Sequence, residues 1–474
     1  MSQRAMTGPQ ADPAGPESAG TAAGSSRTVV LAALGTFLAL VAFTLPMSAL
    51  PTLAAALRAG PAAQTWVLSS MSVGLAAGLL VSGALADDFG RRRMFVAGAG
   101  VLAVTLVIGA SVSSPLPFVL ARVGQGLGAA ALVACGLGLV GHTFPAGPAR
   151  SRATGIWGAS VGAGIAAGPL LAALLDNTPA GWRAAYLLVA VLTVALGVAS
   201  RLLLTESRAV RSHPVDAMGA VLLGTGLSAL LAGLVTGRDG WTRPMVIVLL
   251  AGGALLLLAF VFVEGRSPAP LLDLALFRRP DFVAATAAGL ATGLGVIAAM
   301  SLVSTVIERG LGGSPVMGGL ALLGWSGVSV FTALAARRLP ARVDGDMQLA
   351  AGLLVVAAGL AALAGLHPGD GLGRLLPGLV VAGLGSGVLN AALGRQAVSS
   401  VPAGRAGMGS GANNTARYLG SAVGVTIAAV LATRPVAGGL LVGWNAAVLV
   451  SVLFSVLGAA VVLGCLRWRR AARI

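Results

Sequence analysis

The chain of 474 residues is 57% hydrophobic and only 10% charged, and its mean hydropathy is +0.92. Soluble domains carry about 25% charged residues, so this composition excludes an ordinary water-soluble enzyme as well as a disordered chain. A membrane protein is the remaining class, and the length accommodates about fourteen spanning helices of about 20 residues each.

The net charge of +16 does not indicate nucleic-acid binding. All 31 basic residues are arginine, most of them in short clusters between apolar runs, and only 4% of the residues are aromatic. Base recognition would use aromatic stacking beside the basic groups, so we expect no nucleic-acid partner. Cys135 and Cys465 lie in separate apolar segments. Two cysteines are too few for a disulfide framework or a metal cage, and we expect no metal and no cofactor.

The first segment, residues 1–27, is rich in Pro, Gly, Ala and Ser and has no hydrophobic period, which predicts a disordered cytoplasmic tail. Beyond it, apolar runs of membrane length predict fourteen spanning helices. In chain order they are residues 28–50, 64–86, 94–113, 116–141, 153–175, 183–204, 216–236, 244–264, 281–306, 316–336, 347–366, 371–395, 405–432 and 441–466. Residues 467–474 form a basic cytoplasmic tail after the last helix.

The placement of arginine tests this number of helices. With the N-terminus inside the cell, most arginines fall in cytoplasmic segments, including the cluster Arg91–Arg93 between the second and third helices. Cytoplasmic loops carry an excess of basic residues, and a miscount by one helix would put the later clusters outside. The distribution therefore predicts a multi-pass plasma-membrane protein with both termini cytoplasmic.

The most specific pattern lies between the second and third helices and reads Gly83-Ala-Leu-Ala-Asp87-Asp-Phe-Gly90-Arg91-Arg92-Arg93. Gly90 would give a short turn its backbone freedom. The Asp87 carboxylate can accept hydrogen bonds from arginines or from a helix N-terminus. A generic positively charged loop would explain the arginines but not the whole spacing.

This stretch resembles the loop 2–3 signature of the major facilitator superfamily. Three further patterns resemble its fourteen-helix drug:proton antiporter branch, at Arg122 to Gly128 in helix 4, Gly158 to Pro169 in helix 5 and Asp216 to Phe277 in the centre. The resemblance implies an all-α membrane carrier that works by alternating access. Its two six-helix halves would be residues 28–204 and 281–466, with a two-helix hairpin at 216–264 between them.

The resemblance also implies roles for particular residues. Asp87 and Arg91 would latch the cytoplasmic side of the outward-facing state, and Arg122 would take part in proton-linked switching. The glycines and Pro169 of helix 5 would shape the interface between the halves. The candidate coupling and gating residues are Gly83, Asp87, Gly90, Arg91, Arg92, Arg122, Gln125, Gly126, Gly162, Gly168, Pro169 and Glu308. The candidate substrate-cavity residues are Trp66, Asn390, Asn413 and Arg417.

Two arginines lie inside apolar runs, where a charged side chain faces a cavity or a partner rather than lipid. Arg122 lies in the fourth predicted helix, which we expect to place it near mid-bilayer. Arg417 lies near the middle of the thirteenth helix, with Asn413 one turn away. Each arginine could serve coupling or the substrate cavity, or could hydrogen-bond backbone carbonyls in a structural role.

Departures from the family pattern leave the proton-binding group open. Relatives carry an Asp and an Asn in helix 1, where this chain has Ala42 and Met47, and no acid lies at mid-membrane. One candidate is Glu308, at the outer end of the ninth helix, where relatives tend to have Gln. The alternative is that Asp87, Arg91 and Arg122 together carry the coupling.

The leading interpretation is a proton-coupled exporter of hydrophobic small molecules or drugs. The shortage of buried carboxylates favours neutral or anionic substrates over cationic dyes. Alternatives are a dedicated carrier for one metabolite or organic anion, and a non-transporting membrane sensor or scaffold. Two short patterns, G-x-S-x-G at Ser160 and G-x-S-G at Ser326, resemble those of serine hydrolases. We expect no general base near either serine, and therefore no enzyme. The expected partners are substrate, protons and the lipid bilayer, and a monomer is the expected state.

Overall fold

The computed structural model describes residues 16–176, 178, 180–208, 216–237, 240–268, 270–338, 344–432 and 439–471. Their regular structure is entirely helical, and fourteen helices are long and apolar enough to span a membrane, as predicted. They are α1 (Pro16–Thr44), α2 (Pro61–Phe89), α3 (Arg91–Ser111), α4 (Pro115–Thr143), α5 (Pro148–Asp176), α6 (Trp182–Leu203), α7 (Ala217–Gly237), α8 (Pro244–Glu264), α9 (Pro280–Gly310), α10 (Pro315–Ala335), α11 (Gly345–Ala362), α12 (Leu372–Ser399), α13 (Ala406–Ala432) and α14 (Gly439–Ala471). α14 includes most of the predicted basic tail, of which residues 472–474 lie outside the described residues.

The first helix differs from its prediction at both ends. α1 begins at Pro16, within the segment expected to be a disordered tail, of which residues 1–15 lie outside the described residues. It ends two residues before Pro46, which has no N–H to donate to the Ala42 carbonyl. A separate short helix then runs from Pro46 to Leu57. The break in α1 is therefore a direct consequence of proline chemistry.

The helices form two groups of six with a hairpin between them, as the resemblance implied. α1–α6 supply most of one hydrophobic core, which includes Phe95 and Leu132 and which a few residues of α7, α12 and α13 join. α9–α14 are built around further clusters, the larger of which includes Trp444. The hairpin α7–α8 lies against α2, where Leu223 clusters with Leu80. The helical pattern of the sequence thus folds into two bundles that can bury a site between them.

The two halves pack closely at the end of the bundle that carries the turn between α2 and α3. We call this the arginine-rich end, after Arg91–Arg93, and the other the opposite end. α2 meets α13 at Gly83 and Gly407, and α5 meets α12 at Gly158. A Cβ atom on Gly83 would lie 2.1 Å from the Gly407 carbonyl oxygen, so only glycine allows this approach. The halves are closed against each other at the arginine-rich end.

Candidate functional site

A buried ion pair links the end of α2 to the start of α3. The side chains of Asp87 and Arg91 are fully buried, and Asp87 Oδ1 accepts hydrogen bonds from Arg91 Nη2 at 2.6 Å and from Nε at 2.9 Å. Charge-assisted hydrogen bonds are about twice as strong as neutral ones, and this pair is shielded from water. The pair fixes the direction in which the Asp87 carboxylate points.

The same carboxylate also binds the other half of the molecule. Asp87 accepts hydrogen bonds from the backbone N–H groups of Gly407, at 3.2 Å, and Met408, at 3.0 Å, in the first turn of α13. Such N–H groups have no partner within their own helix, and the helix dipole favours a carboxylate there. Arg91 donates to the Gly404 carbonyl at 2.7 Å. We call Asp87, Arg91 and the three backbone groups that they bind the latch.

An acid that the sequence analysis missed holds the turn before α3. Gly90 has a φ of 121°, and a Cβ atom there would collide with the Glu206 carboxylate. Glu206 follows α6 and accepts a hydrogen bond from the Arg92 N–H at 3.1 Å. Its carboxylate also lies 3.7 Å from Arg92 Nε and 3.6 Å from Arg93 Nε. Arg92 therefore stabilises the turn within its own half. The sequence could have indicated Glu206 as its partner, because Glu206 is an acid in a loop on the same side as the arginines.

Arg122 is fully buried, and its guanidinium binds the backbone of two neighbouring helices. Nη1 donates to the Ala42 carbonyl at 2.7 Å, Nη2 to the Phe43 carbonyl at 3.1 Å and Nε to the Val67 carbonyl at 3.3 Å. Gln125 accepts from Nη1 at 3.0 Å and itself donates to an α3 carbonyl at 3.1 Å. We call this arrangement, which joins α1, α2 and α4, the Arg122 clamp.

The local sequence supplies both the acceptors and the close approach that the Arg122 clamp requires. In a continuous helix the Ala42 carbonyl would accept from the N–H four residues later, but that residue is Pro46. The carbonyl is therefore free for Arg122, at the position where the family pattern has an Asp. Gly126 brings α4 against α2, because a Cβ atom there would lie 2.3 Å from the Met71 carbonyl oxygen.

The structure separates Arg122 from Asp87 and Arg91, which were considered together as one coupling set. Arg122 lies seven residues from the start of α4, at the opposite end, which corresponds to about 10 Å at 1.5 Å per residue. It therefore lies halfway between the start of α4 and the middle of that helix, whereas the latch lies at the arginine-rich end. Within the described ranges the two sites share no hydrogen-bond partner. They are two distinct sites.

The glycines of the helix-5 pattern divide between two interfaces. A Cβ atom on Gly162 would lie 3.3 Å from the Ser326 carbonyl oxygen of α10, so Gly162 lies between the halves. Gly168 instead packs on α1, and the Pro169 carbonyl accepts a hydrogen bond from Ser48 at 2.7 Å. Gly168 and Pro169 therefore shape a contact within the first half, which corrects the expectation that the whole pattern lies between the halves.

Arg417 lies in a different environment from Arg122. It lines a small cavity with residues of α9, α10 and α12, namely Thr292, Val296, Ile297, Trp325, Ser386, Leu389 and Asn390. Arg417 is only 6% exposed, and its guanidinium donates no hydrogen bond to the part of the chain that the structure describes. A π-helical turn, Gly293–Ile297, forms the α9 wall, and such turns are frequent at functional sites. We call this space the Arg417 cavity.

Two of the four predicted cavity residues line the Arg417 cavity. Besides Arg417 itself, Asn390 faces it, and Asn390 Oδ1 is buried with no donor among the described residues. Asn413 instead donates to the Ala285 carbonyl at 2.6 Å, which ties α13 to α9. Trp66 lies near the start of α2 and packs against the core of its own half, away from the Arg417 cavity.

Glu308 lies in the π-helical turn Val306–Gly310 that ends α9 at the opposite end. Its side chain is half-buried. Among the residues with described positions, no group pairs with its carboxylate, including the neighbouring Arg309. Glu308 is therefore a carboxylate without a fixed partner, in contrast to Asp87.

A second polar contact joins the halves at the arginine-rich end. Arg395 of α12 donates to Ser151 Oγ of α5 at 3.0 Å and to the side-chain oxygen of Gln348 in α11. The sequence analysis assigned Arg395 only to the positive-inside pattern. Nothing in its neighbouring sequence distinguishes it from the other loop arginines, so its partner emerges only from the tertiary structure.

The two serine patterns are not arranged for nucleophilic catalysis. Ser160 Oγ donates to the Trp157 carbonyl at 2.7 Å, and Ser326 Oγ donates to the Leu322 carbonyl at 2.6 Å. Each hydroxyl is thus bound to its own helix, whereas an activated serine requires a base at hydrogen-bond distance.

Comparison with known sequences identifies the relatives of the chain. Residues 32–221 and 217–425 match the family model described as Major Facilitator Superfamily. The probable actinorhodin transporter of Streptomyces coelicolor is 33% identical over 380 residues, which cover 77% of this chain and 65% of that protein. The cephamycin export protein CmcT of Amycolatopsis lactamdurans is 33% identical over 415 residues, or 85% and 84% of the two chains. The multidrug efflux pump LfrA of Mycolicibacterium smegmatis is 31% identical over 403 residues, or 84% and 79%.

Solved structures share the fold at low sequence identity. The human organic anion transporter MFSD10 (TETRAN) matches with a TM-score of 0.67 and 19% identity, covering 92% of this chain and 99% of that one. The proton:xylose symporter XylE, bound to 6-bromo-6-deoxy-D-glucose, matches with a TM-score of 0.64 and 13% identity, covering 93% and 95%. At these identities the likeness establishes the architecture and not the substrate.

Proposed function

Because the chain belongs to the Major Facilitator Superfamily, we propose that it exports hydrophobic small molecules of the drug or antibiotic type by proton-coupled alternating access. The names of its relatives describe a probable actinorhodin transporter, a cephamycin exporter and a multidrug efflux pump. The observation that carries the proposal is the latch, in which a buried carboxylate of one half binds a helix N-terminus of the other half. A carrier moves its halves about a central site, so this contact would break and re-form in each cycle.

The closed latch corresponds, in this proposal, to the state that is shut toward the cytoplasm. On the positive-inside rule, we assign the arginine-rich end and both termini to the cytoplasm. The Arg395–Ser151 contact and the glycine contacts between the halves close the same end. An exporter would release its cargo to the outside in this state.

Expression in an efflux-deficient bacterial host tests the export function. We expect lower accumulation of several unrelated hydrophobic antibiotics and higher resistance to them, and a protonophore should abolish both effects. One charge that crosses 100 mV supplies about 2.3 kcal/mol, enough for a roughly 50-fold concentration ratio. Resistance to one compound alone would support a dedicated carrier. Unchanged accumulation of every compound would contradict export and favour a sensor or scaffold.

Glu308 is the proposed proton-binding group. Both Asp87 oxygens are occupied in the latch, whereas Glu308 is half-buried and faces the opposite end without a fixed partner. Glu308→Gln cannot bind and release a proton, so we expect transport in proteoliposomes to lose its acceleration by an imposed pH gradient. The matched control is Asp370→Asn at the same end, whose carboxylate already accepts from the His367 N–H at 2.9 Å. Full pH-driven transport by Glu308→Gln would reject Glu308 and return the coupling role to the latch.

A further inference from the structure

We propose that the Arg417 cavity binds a carboxylate or another anionic oxygen group of the exported molecule, an inference that rests on the proposed export function. The cavity is far smaller than the about 300–1,000 Å³ that is typical of sites for whole drug-sized ligands, and in this state it has room for about one water-sized group. It therefore accommodates one functional group of a larger molecule. The remainder of that molecule would extend from the cavity into the space between the halves.

The charge of Arg417 is not compensated by the helices that line the cavity. A guanidinium remains protonated in proteins, and its burial without an anion is strongly unfavourable. Helices α10, α12 and α13 contain no Asp or Glu. The two acids of α9, Asp281 and Glu308, lie near its two ends, whereas the cavity lies between them at Thr292 to Ile297. A ligand anion would supply the missing charge.

Two neutral side chains complete a site for an oxygen anion. Trp325 Nε1 donates to Ser386 Oγ at 3.0 Å, so the hydroxyl serves Trp325 as an acceptor and its own proton is free to donate. Asn390 is only 6% exposed and has an unpartnered Oδ1, so a ligand can set the orientation of its amide. A guanidinium, a hydroxyl and an amide together match the several lone pairs of a carboxylate.

The comparison with Arg122 explains why only one of the two buried arginines is available to a ligand. The Arg122 guanidinium donates to three backbone carbonyls and to Gln125, so its donors are engaged within the protein. Arg417 has the same donors, but they face a cavity. The Arg417 cavity should therefore favour anionic molecules, and it offers no carboxylate to a cationic one.

Binding of two matched ligand pairs to the full-length protein in lipid nanodiscs tests this inference. The pairs are fusidate with its methyl ester, and dansylglycine with its methyl ester. We expect each carboxylate to bind at least about tenfold more tightly than its ester, which corresponds to about 1.4 kcal/mol. Arg417→Gln should remove the preference, because it should weaken carboxylate binding about tenfold more than ester binding. Arg309→Gln, which removes an exposed arginine at the end of α9 outside the Arg417 cavity, is the control and should keep the preference.

A second variant keeps the test decisive if Arg417→Gln does not fold. Asn390→Asp places a negative charge in the Arg417 cavity, so it should weaken carboxylate binding much more than ester binding. The inference is overturned if the wild-type protein shows no preference for either carboxylate, or if the preference survives both variants. Competition by inorganic phosphate at the same concentration as the organic acids would also overturn it, because the site would then be one for small anions.

The outcomes separate this inference from the export function on which it rests. Efflux of neutral compounds without a carboxylate preference would retain the export function and reject the anion site. If the purified protein binds carboxylates through Arg417 but cells that express it show no efflux of any compound, the anion site is retained and export is rejected.

Discussion

Asp87→Asn is expected to abolish efflux while the protein remains folded in the membrane. An Asn side chain loses the charge that pairs with Arg91, and its single oxygen cannot serve Arg91, Gly407 and Met408 together. Removal of one member of a buried ion pair costs about 3–5 kcal/mol. At 1.4 kcal/mol per factor of ten, the equilibrium would shift away from the closed latch by about 100-fold or more. The state that releases cargo would then be too rare to sustain transport.

Cysteine labelling measures the change in access that Asp87→Asn should cause. Cys135 and Cys465 are first replaced by Ser, and a single cysteine is introduced at Ser410, which is fully buried in α13 two residues beyond the latch. In everted membrane vesicles a water-soluble maleimide should label this cysteine slowly with Asp87 present and much faster in Asp87→Asn. Equal labelling rates would show that the latch does not control closure of this end.

Asp88→Asn provides the matched control for the latch. Asp88 is the adjacent acid, and it also bonds across the halves, with Arg405 Nη1 at 3.0 Å. The Asp88 and Arg405 side chains are 13% and 21% exposed, so this pair keeps some contact with water, whereas the Asp87 pair is fully buried and its loss costs more. Asp88→Asn should therefore retain most of the efflux. Equal losses in the two variants would mean that the charge of the loop matters, and not the buried contact.

The sequence predicted the helices well because hydropathy and arginine placement can be read from consecutive residues. The resemblance to the family also implied that Asp87 and Arg91 form a latch. The sequence could not predict the partner of the latch. The N–H groups of Gly407 and Met408 lie 320 and 321 residues from Asp87, and a backbone N–H has no signature in sequence.

The sequence also gave no means to distinguish Arg122 from Arg417. Both are single arginines in apolar runs, and the cost of burial is the same for each at equal depth. Their difference depends on tertiary neighbours, namely a carbonyl that Pro46 leaves free on α1 and a cavity that a π-helical turn borders on α9. Neither neighbour can be read from the residues around the arginine itself.

The same substitution at these two arginines should have different effects on stability. Lysine keeps the charge but has one ammonium with three donors on a flexible stem, and it cannot reach carbonyls of α1 and α2 together with Gln125. Each buried acceptor that loses its donor costs about 1–3 kcal/mol. Arg122→Lys should therefore lower the Tm of the purified protein by several degrees and reduce efflux. Arg417→Lys removes no hydrogen bond to the described part of the protein, so its Tm should match the wild type.

Pro46→Ala tests the origin of the Arg122 clamp independently of the arginine. Alanine restores an N–H four residues after Ala42, which would compete with Arg122 for the same carbonyl. We expect α1 to become more continuous and the Tm to fall by less than in Arg122→Lys, because Phe43 and Val67 still accept from the guanidinium. Equal Tm losses for Arg122→Lys and Arg417→Lys would contradict the distinction between clamp and cavity. Both lysine variants keep the charge and a long side chain. A difference in Tm between them therefore reflects the hydrogen bonds that each wild-type guanidinium makes.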